Sequence, residues 1–184
     1  MNGFPGAVRG ALAVAAAAML SGCPLSSDTP LSDPGSAAPD SALVGTWQTR
    51  DPETGEVNDL RILAFNEHEM VAVAPESGPG TISAMRVFCT PVGAETFLNI
   101  QELGSDRPGW FFASYRVENN GLRLRIVDDE LFKDRTFASS RELRAFLARN
   151  LADPRLYGDT PAEMILERVP DHVPEPSGAS GPES

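Results

Sequence analysis

Between residues 43 and 127 the chain alternates short runs of apolar residues with clusters of turn-forming ones. The runs fall at 43–50, 59–66, 69–75, 81–90, 95–103, 110–117 and 122–127. In the last of these, Leu122, Leu124 and Ile126 share one parity and Arg123 and Arg125 the other. A period of two places alternate side chains on opposite faces of a strand, so each run predicts a half-buried β-strand. Breaks such as "PESGPG" and "GSDRPG" supply turn chemistry, and "ENNG" places Asn119, Asn120 and Gly121 where a tight hairpin needs positive φ.

The pattern changes after residue 127. "DDELFKD" (128–134) reads as one acidic-capped helical turn. Over 139–151, Leu143, Phe146, Leu147 and Leu151 recur at helical spacing, and Ser139 and Glu142 have the spacing of a capping box. "AEMILERV" (162–169) restores strand character as an eighth strand, which pairing with the first would turn into a sealed sheet. The predicted fold is mainly β: an eight-stranded antiparallel meander, barrel-like, with one or two short helices before the last strand. Its domain spans 43–169.

Outside that domain the texture differs. Residues 10–20 form an apolar run of 11 residues behind Arg9. Crossing a bilayer takes about 20 residues, so the run is too short to span and has the length of a signal-peptide core. Residues 24–41 hold four Pro, five Ser and three Asp without apolar periodicity, and 170–184 are similar in texture. Such composition predicts a disordered tether at 23–42 and a disordered tail at 170–184. A tether of this kind reaches about 55 Å at roughly 3.1 Å per residue.

Charge and candidate chemistry narrow the functional classes. The formal charge is −11, and Lys133 is the only lysine. No basic run occurs, which argues against a nucleic-acid partner. The two histidines are His68, in a turn between Glu67 and Glu69, and His172, in the tail. Glu67, His68 and Glu69 could bind a metal only weakly, because neighbours in a strand point to opposite faces and a closed site needs four ligands, and no cofactor or metal is expected. Asp128, Asp129, Glu130 and Asp134 form an acidic cluster best read as helix capping. No Ser has a nucleophile-elbow setting, and no Gly-rich phosphate loop is present. Catalysis is therefore the least favoured reading, through either the acidic cluster or His68. The densest aromatic group is Trp110, Phe111, Phe112 and Tyr115. Its parity splits it into two pairs on opposite faces, either core or a ligand or partner surface.

Two resemblances add to this. Leu20, Ser21, Gly22 and Cys23 follow the apolar run where a cleavage site belongs, and they resemble the lipobox of bacterial lipoproteins. The resemblance implies cleavage before Cys23 and a diacylglyceryl thioether on its sulfur. The chain would then be held in the cell envelope by acyl chains. Pro24 at the next position, rather than aspartate, points to the outer membrane. Cys89 is then left without a partner. The strand order, with Gly45-Thr46-Trp47 opening the first strand, resembles lipocalins and calycins. In that superfamily the indole lies across the barrel floor beneath a late arginine, which here is Arg168. A helix before the last strand, rather than after it, departs from the lipocalin layout. The "LRAFLARN…ILERVP" ending resembles an uncharacterised bacterial envelope family, which brings no function with it. Together these predict a lipid-anchored, non-catalytic module that binds an envelope protein partner or serves a structural role. The alternatives are a carrier of a small apolar ligand and an enzyme of unrecognised type.

Overall fold

In the computed structural model, residues 25–51, 55–75, 82–106, 109–133, 135–158 and 163–170 are described. The apolar leader, the lipobox residues Leu20, Ser21, Gly22 and Cys23, and the tail beyond residue 170 lie outside them, as do Asp134 and His172.

Eight strands form a closed antiparallel barrel in simple meander order. They are β1 (Gly45–Arg50), β2 (Val57–Ala64), β3 (Met70–Pro75), β4 (Ile82–Val92), β5 (Glu95–Glu102), β6 (Trp110–Glu118), β7 (Gly121–Ile126) and β8 (Glu163–Val169). β8 pairs with both β7 and β1, with Trp47 opposite Arg168, so the described sheet has no free edge. The β6–β7 hairpin turns through Asn119 and Asn120 at φ 49° and 64°, the pair of left-handed residues that a two-residue turn requires. Every strand expected from the apolar alternation is present, most with bounds shifted by a residue or two.

The β7–β8 connection carries a 3-10 turn at Glu130–Phe132, the helix α1 (Ser140–Asn150) and a second 3-10 turn at Pro154–Tyr157. Ser139 caps α1, its side chain accepting from the Glu142 N–H. The Glu142 carboxylate reaches back to the Ala138 N–H rather than to that of Ser139. The capping box thus closes one residue further out than its usual form.

Alternation divides the apolar residues into two cores. The inner one fills the barrel with Trp47, Leu60, Ile62, Met70, Val87, Leu98, Leu122, Leu124 and Leu166, among others. The outer one lies against the convex face of β4, β5 and β6, where Phe88, Phe97, Trp110 and Phe112 meet Phe132, Leu143, Phe146 and Leu147 of the β7–β8 connection.

Residues 25–42 overturn the disordered-tether expectation. They dock along the barrel as an irregular strap, burying Leu25, Leu31 and Ala37 in the outer core. Leu25 N–H donates to Val127 O, and Ser27 exchanges two backbone bonds with Trp110. Further on, Leu31 N–H donates to the side-chain oxygen of Asn99 at 2.7 Å. Polar composition misleads because the strap needs few apolar anchors. Asn99 and Thr90 on the sheet face provide buried partners for its backbone and for Ser32. The folded unit consequently includes residues 25–42 and does not begin at 43.

Candidate functional site

Two ends of the barrel differ in construction. The lower end carries the start of β1, the end of β8 and the β2–β3, β4–β5 and β6–β7 turns. It is sealed. Trp47 is fully buried, and its indole N–H donates to Leu43 O at 2.8 Å. Leu43, itself fully buried, closes the floor beside it. The Arg168 guanidinium stacks 4.3 Å from the Trp47 ring centroid and donates to the carbonyls of Val44 and Ala42. A cation over an indole face, with its N–H groups taken by carbonyls, ties the last strand to the entry of the first.

Gly45 completes this floor. Its φ is +146°, and a Cβ there would stand 2.5 Å from Arg168 Nη1. Gly45→Ala should therefore lower stability by about 1–3 kcal/mol, the cost of a strained backbone residue. Thermal unfolding of the variant reads the effect directly. A second removal of the guanidinium, in Gly45→Ala/Arg168→Ala, should cost less than the sum of the singles, because the clash goes with it.

A polar chain leads inward from the same end. Tyr115 O–H donates to Asp40 of the strap at 2.9 Å, and Cys89 Sγ lies 3.4 Å from the Tyr115 oxygen. Burial pushes both the Cys89 thiol and the Tyr115 phenol up, so both stay protonated at neutral pH. Cys89 is a buried free thiol in an apolar setting, with the low reactivity such a setting confers.

The upper end carries the β1–β2, β3–β4, β5–β6 and β7–β8 connections. Here the inward-facing positions Met85, Ile100, Phe111, Ile126 and Met164 are only partly buried. Ser83, also inward and near the same end, is buried, and its hydroxyl has no hydrogen-bond partner among the described residues. Thr49, Asn58 and Glu102 share the inward parity there and are also half-buried, so a mixed throat with one unsatisfied hydroxyl is opposed to a sealed floor.

The aromatic group splits as its parity requires. Trp110 and Phe112 are buried in the outer core, Trp110 edge-on to Phe88 at 5.3 Å, while Tyr115 belongs to the inner core. Occupied by the chain's own strap and helix, Trp110 and Phe112 offer no free partner surface. Phe111 alone of the four is half-buried, at the throat.

The remaining candidates hold structural positions. His68 Nδ1 lies 2.8 Å from Ala37 O, joining the β2–β3 turn to the strap. Glu69 accepts from Arg86 at 2.5 Å. Asp128 accepts from Glu130 N–H, so it, rather than Asp129, caps the acidic turn. Among the described residues, no three His, Cys, Asp or Glu side chains are grouped to hold a metal ion. Two surface clefts lie outside the barrel. One, of about 420 Å³, runs between the strap's first residues and the loop bearing Lys133 and Arg135. The other, of about 360 Å³, lies beside the β6–β7 turn and Arg168.

These features define a small closed antiparallel barrel with a tryptophan–arginine floor and a half-buried throat. In comparisons with protein-family models, with curated proteins and with solved structures, none matches the chain.

Proposed function

We propose that the chain is a lipocalin-like binding module, non-catalytic and anchored in the cell envelope by acylation of Cys23, in the outer membrane by the residue that follows it. The observation that carries the binding reading is the asymmetry of the barrel. Its floor is sealed by Leu43, Trp47 and Arg168, while its upper inward positions are half-buried, apolar at Met85, Ile100, Phe111, Ile126 and Met164 and polar at Thr49, Asn58 and Glu102. An interior closed at one end and half-buried at the other suits a ligand or partner segment entering from the upper end. The roles held by His68, Cys89 and Asp128, each engaged within the fold, favour binding over catalysis. The anchor rests on Leu20, Ser21, Gly22 and Cys23 following an apolar run of signal length.

A small apolar ligand with one polar group is the more specific reading. The buried Ser83 hydroxyl, without a partner among the described residues, favours it, since such a group is costly unless something completes its hydrogen bonding.

Two measurements test these statements. Metabolic labelling with a fatty-acid probe should mark the wild-type chain and fail on Cys23→Ser; equal labelling of both removes the anchor. An environment-sensitive apolar dye should brighten on binding the protein, and Met164→Asp, facing the throat, should abolish that response. Ile165→Asp, on the neighbouring outward position of β8, should leave it intact. Equal responses from both variants would sink the throat as the binding site.

A further inference from the structure

The strap has a direction, and the direction fixes which end of the barrel meets the anchor. Its first described residues are bonded at the upper end. Leu25 N–H donates to Val127 O, one residue past β7, and Ser27 pairs with Trp110, the first residue of β6. It then descends the outer face of β5 and β4 through Leu31–Asn99 and Ser32–Thr90. It reaches the lower end at Ala37, whose carbonyl meets His68 of the β2–β3 turn, and enters the floor at Leu43. Cys23 stands two residues before Leu25, and covalent geometry keeps its Cα within about 7 Å of the Leu25 Cα. An acyl anchor on Cys23 would therefore attach beside the upper rim.

That rim exposes apolar side chains among charged ones, Arg50, Glu56, Asp106 and Glu163 being exposed at the same end. Val57 is the first residue of β2, Ile82 the first of β4, and Leu103 follows the last residue of β5. They are 43%, 64% and 48% exposed and come from three separate strands at one end of the barrel. At the opposite end Leu63, near the end of β2, is 40% exposed and Phe65, at the β2–β3 turn, 69%. Strands of about eight residues, tilted as in small barrels, separate the two ends by roughly 20 Å.

We infer that the upper end of the barrel rests on the bilayer, with Val57, Ile82 and Leu103 in the headgroup region and the throat opening onto the lipid. The inference rests on the acylation of Cys23. The occupant of this rim is a lipid surface rather than a protein because the chain's own anchor is tied next to it. For the lower end to face the membrane, the strap's bonds to Val127, Trp110 and Asn99 would all have to break. Charge does not supply the attraction, since the chain carries a net charge of −11. The acyl chains hold the protein at the surface, and the apolar residues of the rim orient it. An apolar ligand would then pass between bilayer and throat without crossing bulk water.

The orientation can be tested with an anchor supplied chemically. The chain from Cys23 onward, which contains every described element, is coupled through the Cys23 thiol to a maleimide lipid in phosphatidylcholine vesicles; buried Cys89 is shielded from the reagent. Tryptophan is introduced singly by Ile82→Trp, Leu103→Trp or Phe65→Trp, and quenching by brominated phosphatidylcholine is measured above the background of Trp47 and Trp110. The expected result is added quenching at 82 and 103 at least about twofold greater than at 65. Stronger quenching at 65, or none at any of the three, would overturn the orientation. Because the anchor is installed by coupling, the quenching pattern judges the orientation alone, while fatty-acid labelling of Cys23 judges the anchor.

Discussion

Trp47→Ala should lower the stability of the barrel by about 3–5 kcal/mol, the range for deleting a large buried aromatic. Trp47 is fully buried, and three separate contacts end with its removal. Its indole leaves a cavity among Leu60, Leu122 and Leu166. Leu43 O loses its donor, and the Arg168 guanidinium loses the face it stacks on. Urea denaturation should show a lower midpoint with little change in slope, and the thermal midpoint should fall by about 10 °C. Trp47→Phe separates the contributions. It keeps most of the volume but not the N–H, so the loss should shrink to about 1–2 kcal/mol. An unchanged midpoint for Trp47→Ala would mean that the floor is not built as described.

Leu31→Ala, in a segment whose composition reads as disordered, should cost about 2–5 kcal/mol. Leu31 is fully buried in the outer core, and its N–H donates to Asn99, which is itself fully buried. Asn99 in turn donates to Phe88 O and Thr90 Oγ1, so the strap completes a buried polar network on the sheet. Losing the strap would leave Asn99 Oδ1 without that donor and uncover Trp110. The loss is capped at the free energy of docking, since a weakened strap can detach while the barrel persists. A free tether would show no change in midpoint, and the denaturation curve decides between the two. Domains cut at residue 41 should likewise be less stable than the chain from residue 25.

The strands were legible because each buries one face, which writes a period of two into the sequence. Leu122, Leu124 and Ile126 against Arg123 and Arg125 are the plainest case. α1 was legible through Ser139 and Glu142 and the spacing of Leu143, Phe146 and Leu147. The floor was legible in part, because Gly45 and Trp47 share one face of one strand and Arg168 has the parity of Leu166. The strap was not. Its anchors Leu25, Leu31 and Ala37 stand six residues apart, with Leu43 continuing the series, and the prolines and serines between them suggest disorder. The even interval is no strand signal, because a 3-10 turn at Pro34–Ser36 breaks the extended path and Leu43 enters the inner core rather than the outer one. The partners that order it, Asn99, Thr90 and Trp110, come from strands far along the chain. The throat was equally hidden, since no local pattern tells whether inward Met85 or Met164 is covered.

The strap's contacts also impose an order on folding. Leu31 pairs with Asn99, Asp40 with Tyr115, and Val44 with Arg168, spanning 68, 75 and 124 residues. Contacts so distant in sequence pay loop-closure entropy before they give anything back, and they form late. The residues nearest the N-terminus are the first to be synthesised, yet they must wait for β4 through β6 to assemble before they have anything to bind. The barrel itself cannot close until β8, the last strand made, meets β1. The strap is thus made before the strands it binds, and an acceptor surface of Trp110, Phe88 and Asn99 stays uncovered until it docks.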